Sequence, residues 1–350
     1  MTDRLTLGVL GIDHGHIFGM LGHLLAEGCV AKSWWTEGHP VTEEKFLRTH
    51  GDVARVTDAR AIIDDPMIDL VLIAAIPRDR AALAIAAMEA GKDVMTDKPG
   101  CTTPEQLADL RAAQSRTGRI WSVNYSERFQ VPGVARAEQL VADGAIGRVI
   151  QTVNLAPHKQ NLATRPDWFF DRQAYGGILC DIGSHQIDQF LHFTGARDAR
   201  IEHAAICNHT RPDLPGFQDF GEVTLRGDGA HGYVRVDWFT PDGLPTWGDG
   251  RLFILGTEGT IETRKYTDIG APHVTDTLLL VNGTENERID CRDTPLPYFR
   301  RLMADVHART ETAMTQDHAY RVMELAIEAQ ALAERARVSV RGCHGRGRDR

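Results

Sequence analysis

The first third of the chain alternates short apolar runs with segments of helical periodicity. The apolar runs cover residues 5–10, 30–35, 69–75, 93–96 and 120–123. The run at 69–75 is almost continuously apolar, which is typical of a strand buried on both faces of a parallel sheet. Strands separated by helices of about 10 residues predict βαβ units and a doubly wound α/β sheet.

The pattern changes after residue 123. Strand-like alternation dominates from 148 to about 290 and predicts a mainly antiparallel sheet. A polar, aromatic-rich loop (157–175) and a helix (181–193) interrupt this region, and two further helices follow, near 297–309 and 317–335. A chain of 350 residues exceeds the usual span of one hydrophobic core, so we expect two domains, at 1–123 and 124–340.

Composition narrows the classes of partner. The formal net charge of −9 argues against a nucleic-acid backbone as ligand, and the arginine- and glycine-rich end at 341–350 is expected to be a disordered basic tail. No apolar run approaches the roughly 20 residues of a membrane span, and no leader pattern opens the chain, which predicts a cytoplasmic protein without a membrane partner. The scattered cysteines predict reduced, structural thiols.

The sequence G-I-D-H-G-H at residues 11–16 follows the first apolar run. A dinucleotide-binding turn has the spacing G-x-G-x-x-G, because glycines let the backbone approach the pyrophosphate at a helix N-terminus. Gly11 matches this pattern, Asp13 and His16 occupy the other two glycine positions, and Gly15 lies one residue early. The turn alone fits an ordinary β–α connection equally well.

The end of the second strand bears on the cofactor. An acidic residue there binds the ribose hydroxyls of NAD in many dinucleotide folds. Thr36 occupies this place by spacing, and Glu37 follows it. Glu37 either takes the role after a one-residue shift or is a solvated loop carboxylate. Because Thr36 has no charge to repel a 2′-phosphate, the predicted cofactor is NAD or NADP, with weak discrimination.

Two later motifs carry candidate chemistry. M-T-D-K-P-G at 95–100 places Lys98 at the carboxyl end of a predicted parallel strand, where ligands bind in open α/β sheets. In G-G-I-L-C-D-I-G-S-H-Q-I-D at 176–188, Asp181 and His185 are four residues apart and Asp188 is one turn further on. A carboxylate beside an imidazole suits proton abstraction from an alcohol. The alternatives are a surface lysine, a helix cap and a buried structural histidine; a metal lacks a further ligand here, so none is predicted.

In this order, the degenerate dinucleotide turn, the D-K-P strand end and the G-G-x-L-x-D-x-G-x-H-x-x-D helix resemble the glucose–fructose oxidoreductase / inositol dehydrogenase (Gfo/Idh/MocA) family over residues 4–337. Asp97 stands where the family usually has glutamate. The resemblance implies an N-terminal Rossmann dinucleotide-binding domain. It also implies a C-terminal α/β domain for substrate binding, whose large open sheet supports homodimers or homotetramers.

The resemblance also implies site residues and a reaction. The catalytic set carried over is Lys98, Asp181 and His185, in which His185 removes the hydroxyl proton, Lys98 polarises the oxygen and Asp181 positions the imidazole or a substrate hydroxyl. The expected cofactor-binding residues are Gly11, Asp13, His14, Gly15, His16, Thr36, Glu37, Ala75, Pro77, Asp97 and Lys98. The expected substrate-binding residues are Tyr125, Arg128, His158, Arg165, Trp168, Arg172, Asp181 and His185.

The function predicted from these observations is hydride transfer between a nicotinamide cofactor and a secondary alcohol or ketone of a sugar-like or cyclitol-like substrate. Aromatic rings and planar polar groups in the 157–175 loop suit a polyhydroxylated ligand, although a solvated linker is the alternative. Two other functions stay open. One is a non-redox reaction driven by transient oxidation, such as elimination, epimerisation or glycoside cleavage, and the other is a ligand sensor without catalysis.

Overall fold

The computed structural model describes residues 4–271 and 274–344, with side chains up to residue 336. The chain forms two compact units. Unit 1 contains the chain up to Gln130 together with Leu162–Gly176 and Leu296–Met323; unit 2 contains Val131–Asn161, Gly177–Pro295 and the chain from Glu324 onward. Residues 345–350 of the predicted basic tail lie outside the described residues.

Unit 1 contains a six-stranded, entirely parallel sheet in the order β3-β2-β1-β4-β5-β6. Its strands are β1 (Thr6–Leu10), β2 (Val30–Trp35), β3 (Ala54–Arg55), β4 (Leu70–Ile73), β5 (Asp93–Asp97) and β6 (Trp121–Asn124). Every residue of β4, β5 and β6 is buried, as the apolar run at 69–75 predicts for a sheet covered on both faces.

Unit 2 contains an eight-stranded sheet in the order β14-β13-β12-β11-β7-β10-β9-β8. The strands are β7 (Val149–Pro157), β8 (Arg200–Cys207), β9 (Phe220–Gly227), β10 (Ala230–Asp237), β11 (Arg251–Gly256), β12 (Gly259–Arg264), β13 (Thr277–Asn282) and β14 (Asn286–Asp290). The β7–β10 pair is parallel and the other pairs are antiparallel. The predicted fold class, a Rossmann sheet plus a mainly antiparallel sheet, is confirmed.

The helices are α1 (Ile17–Ala26), α2 (Glu43–Thr49), α3 (Arg60–Ile63), α4 (Arg80–Glu89), α5 (Pro104–Thr117), α6 (Ser126–Phe129), α7 (Pro132–Ala142), α8 (Arg172–Tyr175), α9 (Ile178–Asp181), α10 (Gly183–Thr194), α11 (Tyr298–Ala308) and α12 (Gln316–His344). Local signals set several ends. The Thr103 side chain caps α5 by accepting from Gln106 N, Pro104 begins the helix, and Gly118 ends it in the left-handed conformation. None of the helices in the described part of the chain is both long and apolar enough to cross a bilayer.

The core of unit 2 lies on one face of its sheet. Alternate residues of β11, β12 and β13, including Leu252, Ile261 and Leu278, pack with Val134 of α7 and Phe193 of α10. The opposite side chains of the same strands are partly exposed, among them Leu255 and Val281. This alternation explains why apolar and polar residues alternate with a period of two along these strands in the sequence.

One helix boundary differs from the sequence-based expectation. The single helix expected at 181–193 is two helices, α9 and α10, separated at Ile182.

Candidate functional site

In unit 1, the carboxyl ends of β1, β2 and β4 border a cavity of about 460 Å³. Such a volume is ordinary for a small-molecule site. The sheet order reverses at β1, and open α/β sheets bind their ligands at this kind of position. The lining residues are Gly11, Asp13, Trp35, Glu37, Gly38, Ala75, Ile76, Arg78, Asp79, Ala82 and Leu83.

Four of the predicted cofactor residues line this cavity: Gly11, Asp13, Glu37 and Ala75. Gly11 has a φ of 77°, and a Cβ there would lie 2.5 Å from the Ala75 Cα, so only glycine fits this turn. Thr36 does not line the cavity and is buried, which leaves Glu37 as the acidic group after β2. Of the lining residues after β4, only Ala75 is predicted from the sequence; Ile76, Arg78, Asp79, Ala82 and Leu83 are not, because only the tertiary fold brings their segment beside the first turn.

The cavity is rich in carboxylates. Asp13, Glu37 and Asp79 line it together with one guanidinium, that of Arg78. Burial raises the pKa of Asp13 to about 6, and Asp79 and Glu37 add to the shift while the charge of Arg80 opposes it. A ligand group carrying additional negative charge would therefore be opposed at this position.

Beside the cavity, the first turn holds a cluster formed by His14, His16 and Asp97. His14 Nδ1 lies 2.9 Å from Asp97 Oδ2, and His16 Nδ1 lies 2.8 Å from Asp97 Oδ1. The potential ligand atoms lie within 4.8 Å of one another, which is spacing that a metal ion could use. All three residues belong to the predicted cofactor set, but the sequence does not indicate that they contact one another, since 81 positions separate His16 from Asp97.

Asp97 and Arg80 are both fully buried and paired, with Arg80 Nη2 3.1 Å from Asp97 Oδ2. Burial would raise the pKa of Asp97, but His16, His14 and Arg80 hold it well below the usual value. Arg80 also donates to the main-chain carbonyls of Ala75, Asp97, Lys98 and Pro99. This arginine, which sequence analysis did not single out, fixes the D-K-P turn that carries Lys98.

The remaining predicted site residues of unit 1 differ in burial and in local backbone structure. Lys98, Tyr125 and Arg128 are buried. Pro77 begins a 3-10 helix, Pro77–Asp79, and Gly15 lies where an added Cβ would meet nothing within 4 Å.

The loop segment 162–176 belongs to unit 1 and is anchored there by an ion pair between Arg78 and Asp171, with 3.8 Å between Nη1 and Oδ2. Of the predicted substrate residues in this segment, Arg165, Trp168 and Arg172 are partly exposed. The Arg165 guanidinium lies 4.3 Å from the centroid of the Phe169 ring, a cation–π contact that gives it a structural role as well.

In unit 2, Asp181 is the last residue of α9 and His185 lies in the first turn of α10. Both side chains are buried, as is Asp188. The Ser184 hydroxyl donates to the Asp181 carbonyl at 3.0 Å, and His185 N donates to Ile182 O at 3.1 Å. The tight connection at Ile182 therefore brings the two predicted catalytic residues onto consecutive short helical segments.

Two buried glutamines hold the start of α9. Gln218 Oε1 accepts from Ile178 N at 2.9 Å, and Gln330 Oε1 of α12 accepts from Leu179 N at 3.1 Å. Gln330 Nε2 in turn donates to Gln218 Oε1 at 3.1 Å. A Cβ on Gly177, whose φ is 88°, would lie 2.2 Å from Gln330 Cδ, so the second glycine of the motif makes room for this bridge.

His158 is in unit 2, just after β7, unlike the other predicted substrate residues of the loop. Its ring centroid lies 4.4 Å from that of Trp247 and 5.3 Å from that of Trp238. An aromatic group of this kind suits the apolar C–H face of a sugar ring.

Comparison with known proteins gives consistent relatives. Residues 39–125 match the "Oxidoreductase family, NAD-binding Rossmann fold" profile, and residues 134–262 match the GFO/IDH/MocA C-terminal domain profile. The chain is 29% identical over 251 residues to levoglucosan dehydrogenase of Pseudarthrobacter phenanthrenivorans, covering 67% of this chain and 63% of that protein. It is 28% identical over 269 residues to the NAD(+)-dependent scyllo-inositol 2-dehydrogenase of Bacillus subtilis, covering 75% and 74%.

Solved structures similar to this chain are also oxidoreductases or proteins proposed to be oxidoreductases. A protein from Erwinia carotovora atroseptica SCRI1043, proposed to be an oxidoreductase, is 43% identical, with a TM-score of 0.91 over 94% of this chain and 99% of that chain. Levoglucosan dehydrogenase in complex with NADH and levoglucosan shares the fold, with a TM-score of 0.76 at 20% identity over 95% and 98% of the two chains. The chain therefore belongs to the Gfo/Idh/MocA oxidoreductase family.

Proposed function

We propose that the protein is an NAD(P)-dependent dehydrogenase or reductase that acts on a secondary alcohol or ketone of a sugar or cyclitol. The observation that carries the proposal is the buried D-K-P turn. Arg80 holds three consecutive carbonyls of this turn, so that Lys98 is fixed at the end of β5, in the same unit as a cavity suited to a nucleotide. Two relatives named above are dehydrogenases of levoglucosan and scyllo-inositol.

In this proposal Lys98, Asp181 and His185 carry the chemistry. His185 accepts the proton of the substrate hydroxyl during oxidation, Lys98 donates a hydrogen bond to the same oxygen, and Asp181 orients the imidazole or a neighbouring hydroxyl. The nicotinamide ring, when bound, supplies or accepts the hydride. Burial of all three side chains supports these roles, because a preorganised group excluded from water acts more strongly on developing charge.

The test is a screen of sugars and polyols for a change in reduced-nicotinamide absorbance, followed by pH profiles in both directions. Oxidation needs neutral His185 and should rise with pH, whereas reduction needs the protonated form and should fall. His185→Ala should remove both limbs. Turnover with no net change in nicotinamide absorbance would instead indicate a non-redox reaction through transient oxidation.

We further propose that NAD is preferred over NADP. Asp13, Glu37 and Asp79 line the cavity next to β2, where the ribose binds in dinucleotide folds. A 2′-phosphate carries about −1.5 to −2 charges at neutral pH and would meet these carboxylates with only Arg78 to offset them. The weak discrimination expected from Thr36 is replaced by this proposal, since Thr36 does not line the cavity. Calorimetric titration with each dinucleotide tests it, and equal affinities would contradict it.

The open face of the unit 2 sheet supports the proposed homodimer or homotetramer. Val153, Phe253, Leu255, Leu279 and Val281 lie on this face around a shallow cavity. Exposed apolar surface of this extent on one sheet face is typical of subunit contacts. Sedimentation of the wild type and of a Leu255→Lys variant tests the proposal, because the variant should shift the protein towards monomers.

A further inference from the structure

His14 and His16 share one buried carboxylate in a turn where Asp13 and His16 replace two glycines of an ordinary dinucleotide turn. Both Nδ1 atoms contact Asp97, while 21% of the His14 side chain and 31% of the His16 side chain are exposed. Since Asp97 is ionised, each ring places its Nδ1 proton towards it. A ligand would therefore meet these rings at the side that carries Nε2, which is a base while the ring is neutral and a donor once it is protonated.

The fixed charges around the cluster favour an anion over a metal cation. The guanidinium of Arg80 lies 3.1 Å from Asp97 Oδ2, and Lys98 follows directly in the chain. A divalent cation between the histidines would displace both Nδ1 protons and lie close to this guanidinium, which costs electrostatic energy in a buried site. A phosphate group approaching the exposed ring edges would be attracted by the same charges.

The pyrophosphate of a dinucleotide brings negative charge to a turn that contains Asp13 and contacts Asp97 through His14 and His16. In a glycine turn the backbone N–H groups alone receive that charge. We propose that this protein binds the pyrophosphate with uptake of protons by His14 and Asp13, so that the cofactor binds more tightly as the pH falls. The inference rests on the proposed cofactor site.

His14 and Asp13 are both largely in the proton-poor state at neutral pH. Desolvation lowers the pKa of His14 to about 4; His16 and Lys98 act in the same direction, and Asp97 opposes them. Asp13, with a pKa raised to about 6 by burial, has Arg80, Asp79 and Glu37 around it. A bound anion raises both values, because it favours imidazolium and disfavours a second carboxylate charge. Protons are then taken up wherever the pH lies between the free and bound values.

The experiment is calorimetric titration of the whole protein with ADP-ribose, which lacks the nicotinamide and so leaves hydride chemistry out. Titrations at equal pH in two non-phosphate buffers with different ionisation enthalpies give the number of protons taken up. We expect a net uptake of protons on binding. The association constant should fall by up to about tenfold for each unit of rise in pH and each proton taken up.

Matched variants assign the protons. His14→Asn keeps an amide donor near the Nδ1 position for Asp97 but cannot take up a proton, and Asp13→Asn removes the second group. Each should reduce the uptake, whereas His231→Ala on the exposed side of β10 should leave it unchanged.

Three results would overturn the inference, and they differ in what they imply for the proposed cofactor site. ADP-ribose binding with no proton uptake would contradict the inference and leave the cofactor site standing. No binding of ADP-ribose, NADH or NADPH would contradict both. The third result is Zn²⁺ binding that depends on His14 and His16, together with a dinucleotide affinity that the asparagine variants leave unchanged. It would identify the two histidines as metal ligands instead.

Discussion

The two units hold their candidate residues by opposite kinds of contact. In unit 1 a charged side chain, Arg80, donates to a run of main-chain carbonyls and to the Asp97 carboxylate. In unit 2 two neutral amides, Gln218 and Gln330, accept from the main-chain N–H groups of Ile178 and Leu179. One arrangement depends on a buried ion pair and the other on neutral hydrogen bonds.

This difference predicts how strongly each unit is destabilised when one of these side chains is substituted. Removing one partner of a buried ion pair leaves an uncompensated charge, whereas removing a neutral acceptor leaves one or two N–H groups without a partner. The turn that carries Lys98 should therefore be the more fragile of the two. The arrangement also places a fixed positive charge beside the proposed cofactor, which neutral glutamines would not supply.

The largest expected effect tests whether the turn held by Arg80 serves chemistry. Lys98→Ala should lower kcat by about 100- to 10,000-fold, the usual cost of removing a positioned catalytic group. Affinity for the dinucleotide should change little, and Lys32→Ala, which removes a partly exposed lysine of the same unit, should keep wild-type kcat. Near wild-type turnover by Lys98→Ala would exclude the lysine from the mechanism.

Arg80→Met tests the ion-pair side of the comparison. We expect the free energy of unfolding to fall by about 3–5 kcal/mol, because Asp97 would remain buried without its guanidinium. Chemical denaturation measures this loss. The Arg80→Met/Asp97→Asn double variant should recover part of it, and Arg116→Met, which removes an exposed ion pair with Glu89, should lose about 0–1 kcal/mol. A loss for Arg80→Met no larger than for Arg116→Met would contradict the proposed importance of the pair.

Gln330→Leu tests the neutral side. The expected destabilisation is about 1–3 kcal/mol, since the buried main-chain N–H of Leu179 loses its acceptor and Gln218 Oε1 loses one of its two donors. Gln173→Leu, at an exposed position, should stay within about 0.5 kcal/mol of the wild type. If Gln330→Leu cost more than Arg80→Met, the comparison between the units would be wrong.

The smallest effect concerns cofactor choice. Asp13 is ionised above its pKa of about 6 and neutral below it, so the preference for NAD over NADP should weaken by a few-fold as the pH falls through this range. The 2′-phosphate of NADP titrates nearby as well, so Asp13→Asn is the necessary control. It should reduce the preference at neutral pH and flatten its pH dependence; an unchanged profile would assign the effect to the phosphate.

Much of the fold follows from the sequence because its strands are periodic and its breaks are chemically marked. The continuous apolar run at 69–75 predicts a doubly buried strand, which is confirmed, and Thr103 and Pro104 mark the start of α5. The motifs around Lys98, Asp181 and His185 identified the family, which the comparisons confirm. By contrast, β14 shows no apolar alternation, since Ile289 is its single apolar residue.

The tertiary structure decided the contacts that link distant positions. Arg80 looks in the sequence like any residue at a helix start, and only folding places its guanidinium against the carbonyls of residues 97–99. Likewise, the sequence marks His16 as a poor replacement for glycine, and only folding brings Asp97 into contact with His14 and His16. Local sequence sets helices, strands and turns through short-range sterics and hydrogen bonds, but the partner of a buried charge is chosen by packing across the whole unit. The acidic cavity next to β2 has the same origin, because Asp13, Glu37 and Asp79 come from three separate segments that meet at one end of the sheet.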